Sequence, residues 1–474
     1  MGQFEMSKVK TIRLVLGSFV AGALISLHVP ALAEKDAKAG LPIDELRTFA
    51  EVYSAIKQGY VEPVEDKTMI NNAISGMLSN LDPHSAYLDA DAFKDLQVGT
   101  QGEFGGLGIE VGMEDGLVKV VSPIEDTPAY RAGVKSGDLI FKLDDTPVKG
   151  LTLNEAVKKM RGKPKTPIRI SILRKGETKP IEITLVREVI KVQSVKSKLI
   201  EPGYGWVRIT QFQENTVADL AKALTALYKQ GPLQGLVLDL RNDPGGLLNS
   251  AIGVSAAFLP PDVKIVSTDG RTPDAKQEFL ARPQDYLRGT REDPLKTMPI
   301  EAKKVPIVVL VNSGSASASE IVAGALQDYK RGVILGTQTF GKGSVQSVVP
   351  LPGNSAIKLT TARYYTPEGR SIQAKGIVPD IIVEETPNGN GTSQRIREAD
   401  LDRHLMNDRD KDAAKDAPKP QAKPATKPAK DKGGKDEAEE EPVERLEYAS
   451  KKDHQFQQAL NLLKGLQIMQ TKAQ

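Results

Sequence analysis

The feature that most constrains the fold of this 474-residue chain is a pair of short, nearly continuous apolar runs, each closed by a turn and followed by a helix-forming stretch. Leu236-Val237-Leu238-Asp239-Leu240 leads into Pro244-Gly245-Gly246 and helical spacing near Leu247 to Phe258, while Val305 to Val311 leads into a helix beginning near Ser317. A strand that is apolar on both faces has to be covered on both faces, as happens when crossover helices wrap a parallel sheet. The expectation is an α/β core from about Trp206 onward, built on a largely parallel sheet. Between the two runs, Asp269 to Lys304 is polar and Pro-rich and reads as a surface excursion.

The flanks are organised differently. Leu46, Phe49, Tyr53, Ile56 and Tyr60, then Ile70, Ala73, Met77 and Leu81, recur at helical steps and predict two amphipathic helices, the second ended by Asp82-Pro83. A Gly-dense stretch from Gly99 to Gly108 opens a small strand-rich module that continues to about Val189, with one helix over Leu153 to Met160. Arg409 to Glu441 holds nine basic and nine acidic residues and no large apolar side chain, so it reads as a solvated linker. Beyond it, Phe456, Leu460, Leu463 and Leu466 form a lone apolar stripe that needs a partner, either its own domain or another copy. At the other end, Lys8, Lys10 and Arg13 precede an apolar Leu14 to Leu27 and the small residues of Ala31-Leu32-Ala33. That pattern predicts a secretory signal cut after Ala33, an uncleaved membrane anchor being the alternative. The expected divisions are a signal peptide (1–33), an N-terminal helical region (34–97), the strand-rich module (98–187), a catalytic core (188–405), a linker (406–442) and a C-terminal helix (443–474).

Composition narrows the chemistry. A formal charge of +3 gives no reason to expect nucleic acid as a partner, and the absence of cysteine removes disulfides and thiolate catalysis. Of four histidines, His28 lies in the signal and His404 and His454 flank the linker. Only His84 is left, in a turn where capping is its expected role, so neither a Ser-His-Asp triad nor a metal or cofactor site is expected. A serine can instead be activated by an uncharged lysine. Neutrality near pH 7 requires a pKa about three units below the usual value, worth about 4 kcal/mol and supplied by burial. Lys342 suits this, because Thr339-Phe340-Gly341-Lys342-Gly343-Ser344-Val345 surrounds it with small or apolar neighbours and no carboxylate. Ser313, Ser315, Ser317 and Ser319 all lie between a buried strand and a helix N-terminus, where amides and the helix dipole favour an oxyanion. Helix capping accounts for one or two of them, and spacing does not choose among the four.

Gly105-Gly106-Leu107-Gly108-Ile109-Glu110-Val111 sets a flexible loop before a strand, an arrangement able to capture a terminal carboxylate and add an extended peptide to the sheet edge. Ser122-Pro123, Thr127-Pro128-Ala129, Arg131-Ala132-Gly133-Val134 and Gly137-Asp138-Leu139-Ile140 follow in an order that resembles a bacterial PDZ domain. The resemblance implies that Leu107, Gly108 and Ile109 hold the terminal residues of a substrate with an apolar C-terminus. Three further motifs look like the carboxy-terminal processing protease family, also called tail-specific proteases: Asp239-Leu240-Arg241-Asn242-Asp243-Pro244-Gly245-Gly246, Ser315-Ala316-Ser317-Ala318-Ser319-Glu320, and Thr339 through Gln346.

That resemblance spans about Ala50 to Glu385 and implies a serine endopeptidase with a crotonase- or ClpP-like α/β core and an inserted PDZ domain. It further implies Ser317 as nucleophile, Lys342 as base, Gln346 as the residue orienting the base, and oxyanion amides from Ala318 and either Gly245 or Gly246. Periplasmic or envelope substrates, homo-oligomers formed through the terminal helices and a possible adaptor come with it. In a straight strand Lys342 and Gln346 would lie about 13 Å apart, so their contact calls for a bend, which Gly343 could provide. The family usually carries Asn where this chain has Asp243. Two readings compete. Gly336 to Gly343 nearly spells a phosphate-binding loop, but Gly343 stands where a Ser or Thr would ligate magnesium and a strand pattern follows. A non-catalytic PDZ scaffold would have no use for a neutral, buried Lys342.

Overall fold

The computed structural model describes residues 41–472 apart from 125, 290–291, 388–395 and 411–446, so the expected signal peptide and nearly all of the expected linker lie outside the described residues. The described residues fall into two compact units, divided between Ile74 and Ser75. In the first, helix α1 (Ile43–Gly59) carries Asp44 and Glu45 in its first turn and Lys57 in its last, each favourable to the helix dipole. Helix α2 (Asp66–Ser79) starts here, and its Asp66 accepts hydrogen bonds from Tyr53 and Lys57 of α1.

The second unit opens with β1 (Ala86–Leu88) and α3 (Ala90–Gln101), a helix absent from the sequence reading. Its signals are short but physical: the Asp89 carboxylate caps it by accepting the Ala92 amide, and Gly102 closes it in the left-handed region at φ 73°. The strand-rich module follows as β2 (Glu103–Gly106), β3 (Ile109–Glu114), β4 (Leu117–Pro123), β5 (Leu139–Leu143), β6 (Thr146–Pro147), α4 (Leu153–Met160), β7 (Pro167–Leu173), β8 (Ile181–Val186) and β9 (Glu188–Lys191). Strands β3-β4-β5-β7-β8 make an antiparallel sheet around Val118, Val120, Ile140, Ile170 and Ile172, against which Ala156 of α4 is buried. Strand β3 is the sheet edge, paired with β4 alone.

The core comprises β10 (Val195–Glu201), β11 (Tyr204–Ile209), α5 (Thr216–Tyr228), β12 (Gly235–Asp239), α6 (Leu248–Phe258), β13 (Lys264–Gly270), β14 (Gln277–Leu280), β15 (Ile307–Val311), α7 (Ala318–Asp328), β16 (Gly332–Gly336), β17 (Ser344–Leu351), β18 (Ser355–Tyr365), β19 (Ile381–Ile382) and α8 (His454–Lys472). Its main sheet runs β10-β11-β12-β15-β16-β19, with every pairing parallel except β10 to β11. Both faces are covered, which is why the strands do not alternate. Leu236, Leu238, Val309 and Val311 join a cluster with Leu220, Leu224, Ile252 and Ile321 from α5, α6 and α7. Val237, Val308 and Leu310 turn the other way, onto Phe456, Ala459, Leu460 and Leu463 of α8. The stripe on α8 therefore finds its partner in its own chain. Arg241 anchors the same segment: only 1% exposed, it pairs with Asp239 and Asp453 at 2.7 Å each. Removing one member of such a buried set leaves an uncompensated charge, at a cost of about 3–5 kcal/mol.

A largely parallel sheet describes only this part of the molecule. Strands β1, β13, β14, β17 and β18 form a second core sheet that is antiparallel throughout, and the PDZ-like sheet is antiparallel too, so antiparallel pairings dominate the chain as a whole. The physical reason is connection length. Only Pro352–Asn354 joins β17 to β18, too few residues for the crossover a parallel pair needs. The polar Asp269 to Lys304 stretch is also more than an excursion, since it contributes β14 and the buried Tyr286. Among the described residues, no helix is long and apolar enough to cross a membrane.

Candidate active site

The segment between β15 and α7 makes a tight turn in which Ser317 adopts φ 56°, ψ −109°, a conformation that costs a non-glycine residue of order 1–3 kcal/mol and persists only where its surroundings impose it. The neighbouring serines are committed elsewhere. Ser315 donates its hydroxyl to the Leu240 carbonyl at 2.8 Å, and Ser319 donates to that of Asp243 at 3.0 Å. The Ser317 hydroxyl instead lies 3.4 Å from the phenol of Tyr364 and lines a cleft of about 660 Å³. Of the four serines, Ser317 is the one that lines this cleft.

Lys342, Gln346, Gly245 and Gly246 line the same cleft, together with Lys358, Tyr364 and the Phe93, Leu96, Gln97 and Thr100 face of α3. Among the described residues no hydrogen bond joins Ser317 to Lys342 or Lys342 to Gln346; the three share a cavity without touching through polar atoms. Lys342 precedes β17 instead of lying on it, so the straight-strand separation from Gln346 does not apply. Gly343 is required for a different reason than a bend, because a Cβ there would stand 2.3 Å from the Gln373 amide nitrogen. Nor is Lys342 remote from carboxylates, as its local sequence suggested. Burial is the main influence and holds its ammonium below the ordinary lysine range, Lys358 adds to this, and Glu398, Glu320 and Asp82 oppose it.

One carboxylate organises both loops. Glu320 is completely buried; its Oε1 accepts the Thr339 hydroxyl at 2.5 Å and the Gly341 amide at 2.7 Å, and its Oε2 accepts the amides of Ser317 at 2.8 Å and Lys342 at 2.9 Å. Burial pushes its carboxyl up to about 7, against those four hydrogen bonds. Sequence reasoning quoted Glu320 within a motif but gave it no role, and it overlooked Tyr364 and Lys358; spacing of three after a serine at a helix start was the available signal for Glu320. His84 is structural, its Nε2 held at 2.8 Å by the buried Glu398.

The glycine turn presses against Ser317. A Cβ on Gly245 would meet the Ala316 oxygen at 2.6 Å and the Ala318 nitrogen at 2.8 Å, so any side chain would block the Ala318 amide. The Gly245 amide is already given to Asp243 Oδ1 at 2.8 Å, whereas the Ala318 and Gly246 amides have no acceptor among the described residues. Asp243 is fully buried and its Oδ2 has no partner. Burial pushes this carboxyl up to about 8, with the Gly245 amide and Arg208 pulling the other way. A group protonated when folded but ionised when unfolded loses stability as pH rises from its ordinary value near 3.8 to about 8, and loses no more above that. Asp243→Asn keeps the acceptor for Gly245 and removes the penalty. It is expected to be more stable than the parent by ~1–3 kcal/mol at pH 8 and by much less at pH 5 in denaturant unfolding; equal stabilities at both pH values would contradict this assignment.

In the PDZ-like module, Gly108 sits at φ 77° with the Thr127 Cβ 2.2 Å from where its own would be, so the loop itself, not only a ligand, needs glycine there. Leu107 is 2% exposed and belongs to the module core, so its side chain is not offered to a ligand. Ile109 on the β3 edge and Leu153 and Val157 on α4 are half-buried side chains packed against that core.

Comparison with known proteins agrees with this layout. The model for peptidase family S41 matches residues 203–383, that for the PDZ domain matches 105–185, and that for the activating protease CtpB N-terminal domain matches 21–92. The chain is 45% identical over 408 residues to the carboxy-terminal-processing protease of Bartonella bacilliformis, covering 85% of this chain and 89% of the relative. It is 36% identical over 361 residues to carboxy-terminal processing protease CtpB of Bacillus subtilis, covering 75% and 71%. Among solved structures, the photosystem II D1 C-terminal processing protease is similar at 32% identity over 71% of this chain and 86% of the other, with a TM-score of 0.40.

Proposed function

Because the chain belongs to the carboxy-terminal processing protease family, PDZ-bearing serine peptidases of family S41, we propose that it cuts exported proteins with Ser317 as nucleophile and Lys342 as general base, after its PDZ domain has engaged the substrate's free C-terminus. The observation that carries this reading is the cleft holding Ser317 and Lys342 together, with the lysine ammonium destabilised by burial. Neutral Lys342 takes the Ser317 proton as the hydroxyl adds to the scissile carbonyl, and returns it to the leaving amine; water then repeats the sequence on the acyl-enzyme. The Ala318 amide supports the oxyanion. The second donor falls to Gly246, since Gly245 gives its amide to Asp243. Gln346 orients the lysine. Free enzymes often hold such groups apart and close them on substrate, which accounts for the missing Ser317 to Lys342 hydrogen bond. A crotonase- or ClpP-like ancestry of the core fits the β-turn-α repeats of the main sheet.

Recognition of the terminus is assigned to the Leu107, Gly108 and Ile109 amides, with the last side chain between the β3 edge and α4. The Ala31-Leu32-Ala33 signal would place the mature enzyme in the periplasm or at the envelope. Oligomers would form through the N-terminal helices, where Leu46, Phe49 and Ile56 are exposed, whereas α8 is spent on its own core. An adaptor is compatible with the same surface. The test is a substrate offered with a free or an amidated C-terminus. Amidation removes one negative charge and the acceptor the loop amides expect, so kcat/KM is expected to fall by about 10-fold or more. Equal rates over a range of concentrations would contradict C-terminal recognition.

A further inference from the structure

A polar chain that the chemistry above does not use runs from the turn before β1 into the cleft. Asp82 and Ser85 are 4% and 5% exposed. Asp82 Oδ1 accepts the amides of His84 and Ser85 at 2.9 Å and the Thr360 hydroxyl at 3.0 Å, while Oδ2 accepts the Ser85 hydroxyl at 2.7 Å. Burial would raise this carboxyl, but these bonds outweigh it and hold it below the usual range, so Asp82 is an anion that can only accept.

Acceptance at Asp82 fixes the polarity of everything downstream. A threonine hydroxyl has one proton; Thr360 gives it to Asp82 and is left facing Gln346 purely as an acceptor. The Gln346 Nε2 donates to Thr360 Oγ1 at 3.2 Å and to Ser344 Oγ at 3.0 Å. A flipped amide would set its oxygen against a hydroxyl oxygen with no proton to offer. The Gln346 Oε1, an acceptor, is therefore the end left for the cleft. The alignment depends on a bulge. Between Val345 and Gln346 the β17–β18 register steps from Ala362 to Thr360, skipping Thr361, whose hydroxyl bonds Ser347 instead. In unbroken register Gln346 would oppose Thr361 and the chain to Asp82 would be cut.

We propose that Asp82 and Thr360 are positioning residues for peptide cleavage: through this relay they lock the Gln346 amide so that its carbonyl oxygen, not its NH2, meets Lys342 and aims the amine at Ser317. The inference rests on the assignment of Lys342 as the base. An NH2 presented instead would compete for the lone pair that must take the Ser317 proton. The charged groups acting on Lys342 are Lys358 from β18, Glu320 from α7, Glu398 and Asp82. A change at Thr360 replaces none of them; it takes from Asp82 one of its four hydrogen bonds and leaves the other three, so the relay is the main thing it removes.

The test compares Thr360→Val, which keeps the shape and loses the hydroxyl, with Thr360→Ser, which keeps the hydroxyl, in the full-length enzyme on one peptide substrate, with Ser317→Ala alongside. Thr360→Val is expected to lose about 10- to 100-fold in kcat with little change in KM, the range that loss of an outer hydrogen-bond partner produces for metal-ligating side chains. Its acid limb should move to lower pH, because an ammonium that loses an oxygen acceptor is less stabilised in its charged form. Thr360→Ser should restore both. Parent-like kcat and pH profile in Thr360→Val, with Ser317→Ala inactive, would overturn the relay and leave the peptidase assignment standing. A drop shared equally by Thr360→Ser, with an unmoved acid limb and a lowered melting temperature, would mark a packing role only and also overturn it. Full activity in Ser317→Ala would remove the assignment and the relay together.

Discussion

Alanine at Ser317 or at Lys342 is expected to reduce kcat/KM by at least about 10³-fold while the protein stays folded, and the double variant should be no worse than either single one, because nucleophile and base act as a unit. Folding should survive for identifiable reasons. Among the described residues, the Ser317 hydroxyl has the 3.4 Å contact with Tyr364 to lose. Among the described residues Lys342 pairs with no carboxylate: Glu398 is held by His84 and Gln373, Glu320 by four donors, and Asp82 by its own turn and Thr360. Deleting the amine thus orphans nothing and removes a poorly solvated charge. Lys342→Arg should be as inactive as Lys342→Ala, since guanidinium does not deprotonate near neutral pH. In the parent, activity should rise with pH through the depressed pKa of Lys342. Substantial cleavage by Lys342→Arg would contradict its role as base.

Glu320→Gln is the second large effect. The carboxylate receives four donors and offers no proton, and the substitution puts an NH2 against two of them. Each buried donor left without an acceptor costs about 1–3 kcal/mol. With Nε2 facing either the Ser317 and Lys342 amides or the Thr339 and Gly341 pair, the loss should total about 2–6 kcal/mol in denaturant unfolding. Activity should fall by about 100-fold or more, because the same oxygen fixes the loops of both catalytic groups and small displacements there are costly. Parent-like stability together with parent-like activity in Glu320→Gln would show that the bridge is dispensable.

The sequence made the main sheet legible because apolar runs covered on both faces leave a composition that little else explains, as in Leu236 to Leu240. The motifs that carry the proposed Ser317 and Lys342 were legible too, each being compact and local, although spacing left four serines open and the family resemblance alone singled out Ser317. What it hid was long-range. The Thr360 to Asp82 hydrogen bond joins residues 278 apart, and the bulge that aligns Thr360 with Gln346 leaves no mark in the residue pattern. The stripe on α8 was visible, but periodicity says that a face is apolar, not what covers it. The carboxylates around Lys342 were missed for the same reason, each arriving from a different part of the fold. Helix α3 was missed because its apolar face is short and serves a cleft instead of a core, leaving Asp89 and Gly102 as its only strong signals. Asp243 was placed correctly in a turn, yet its burial follows from the pressing of that turn against Ser317, which only the assembled fold creates.

The most direct measurement is to label the active enzyme with a reactive phosphonyl fluoride carrying an apolar side chain, and to map the adduct by peptide mass spectrometry in the parent, Lys342→Ala and Ser317→Ala, following cleavage of one peptide substrate in parallel. The expected result is a single adduct on Ser317 in the parent, little or none in Lys342→Ala, and neither label nor cleavage in Ser317→Ala. An adduct on another residue that abolishes activity, or cleavage that persists in Ser317→Ala, would contradict the assignment of the nucleophile.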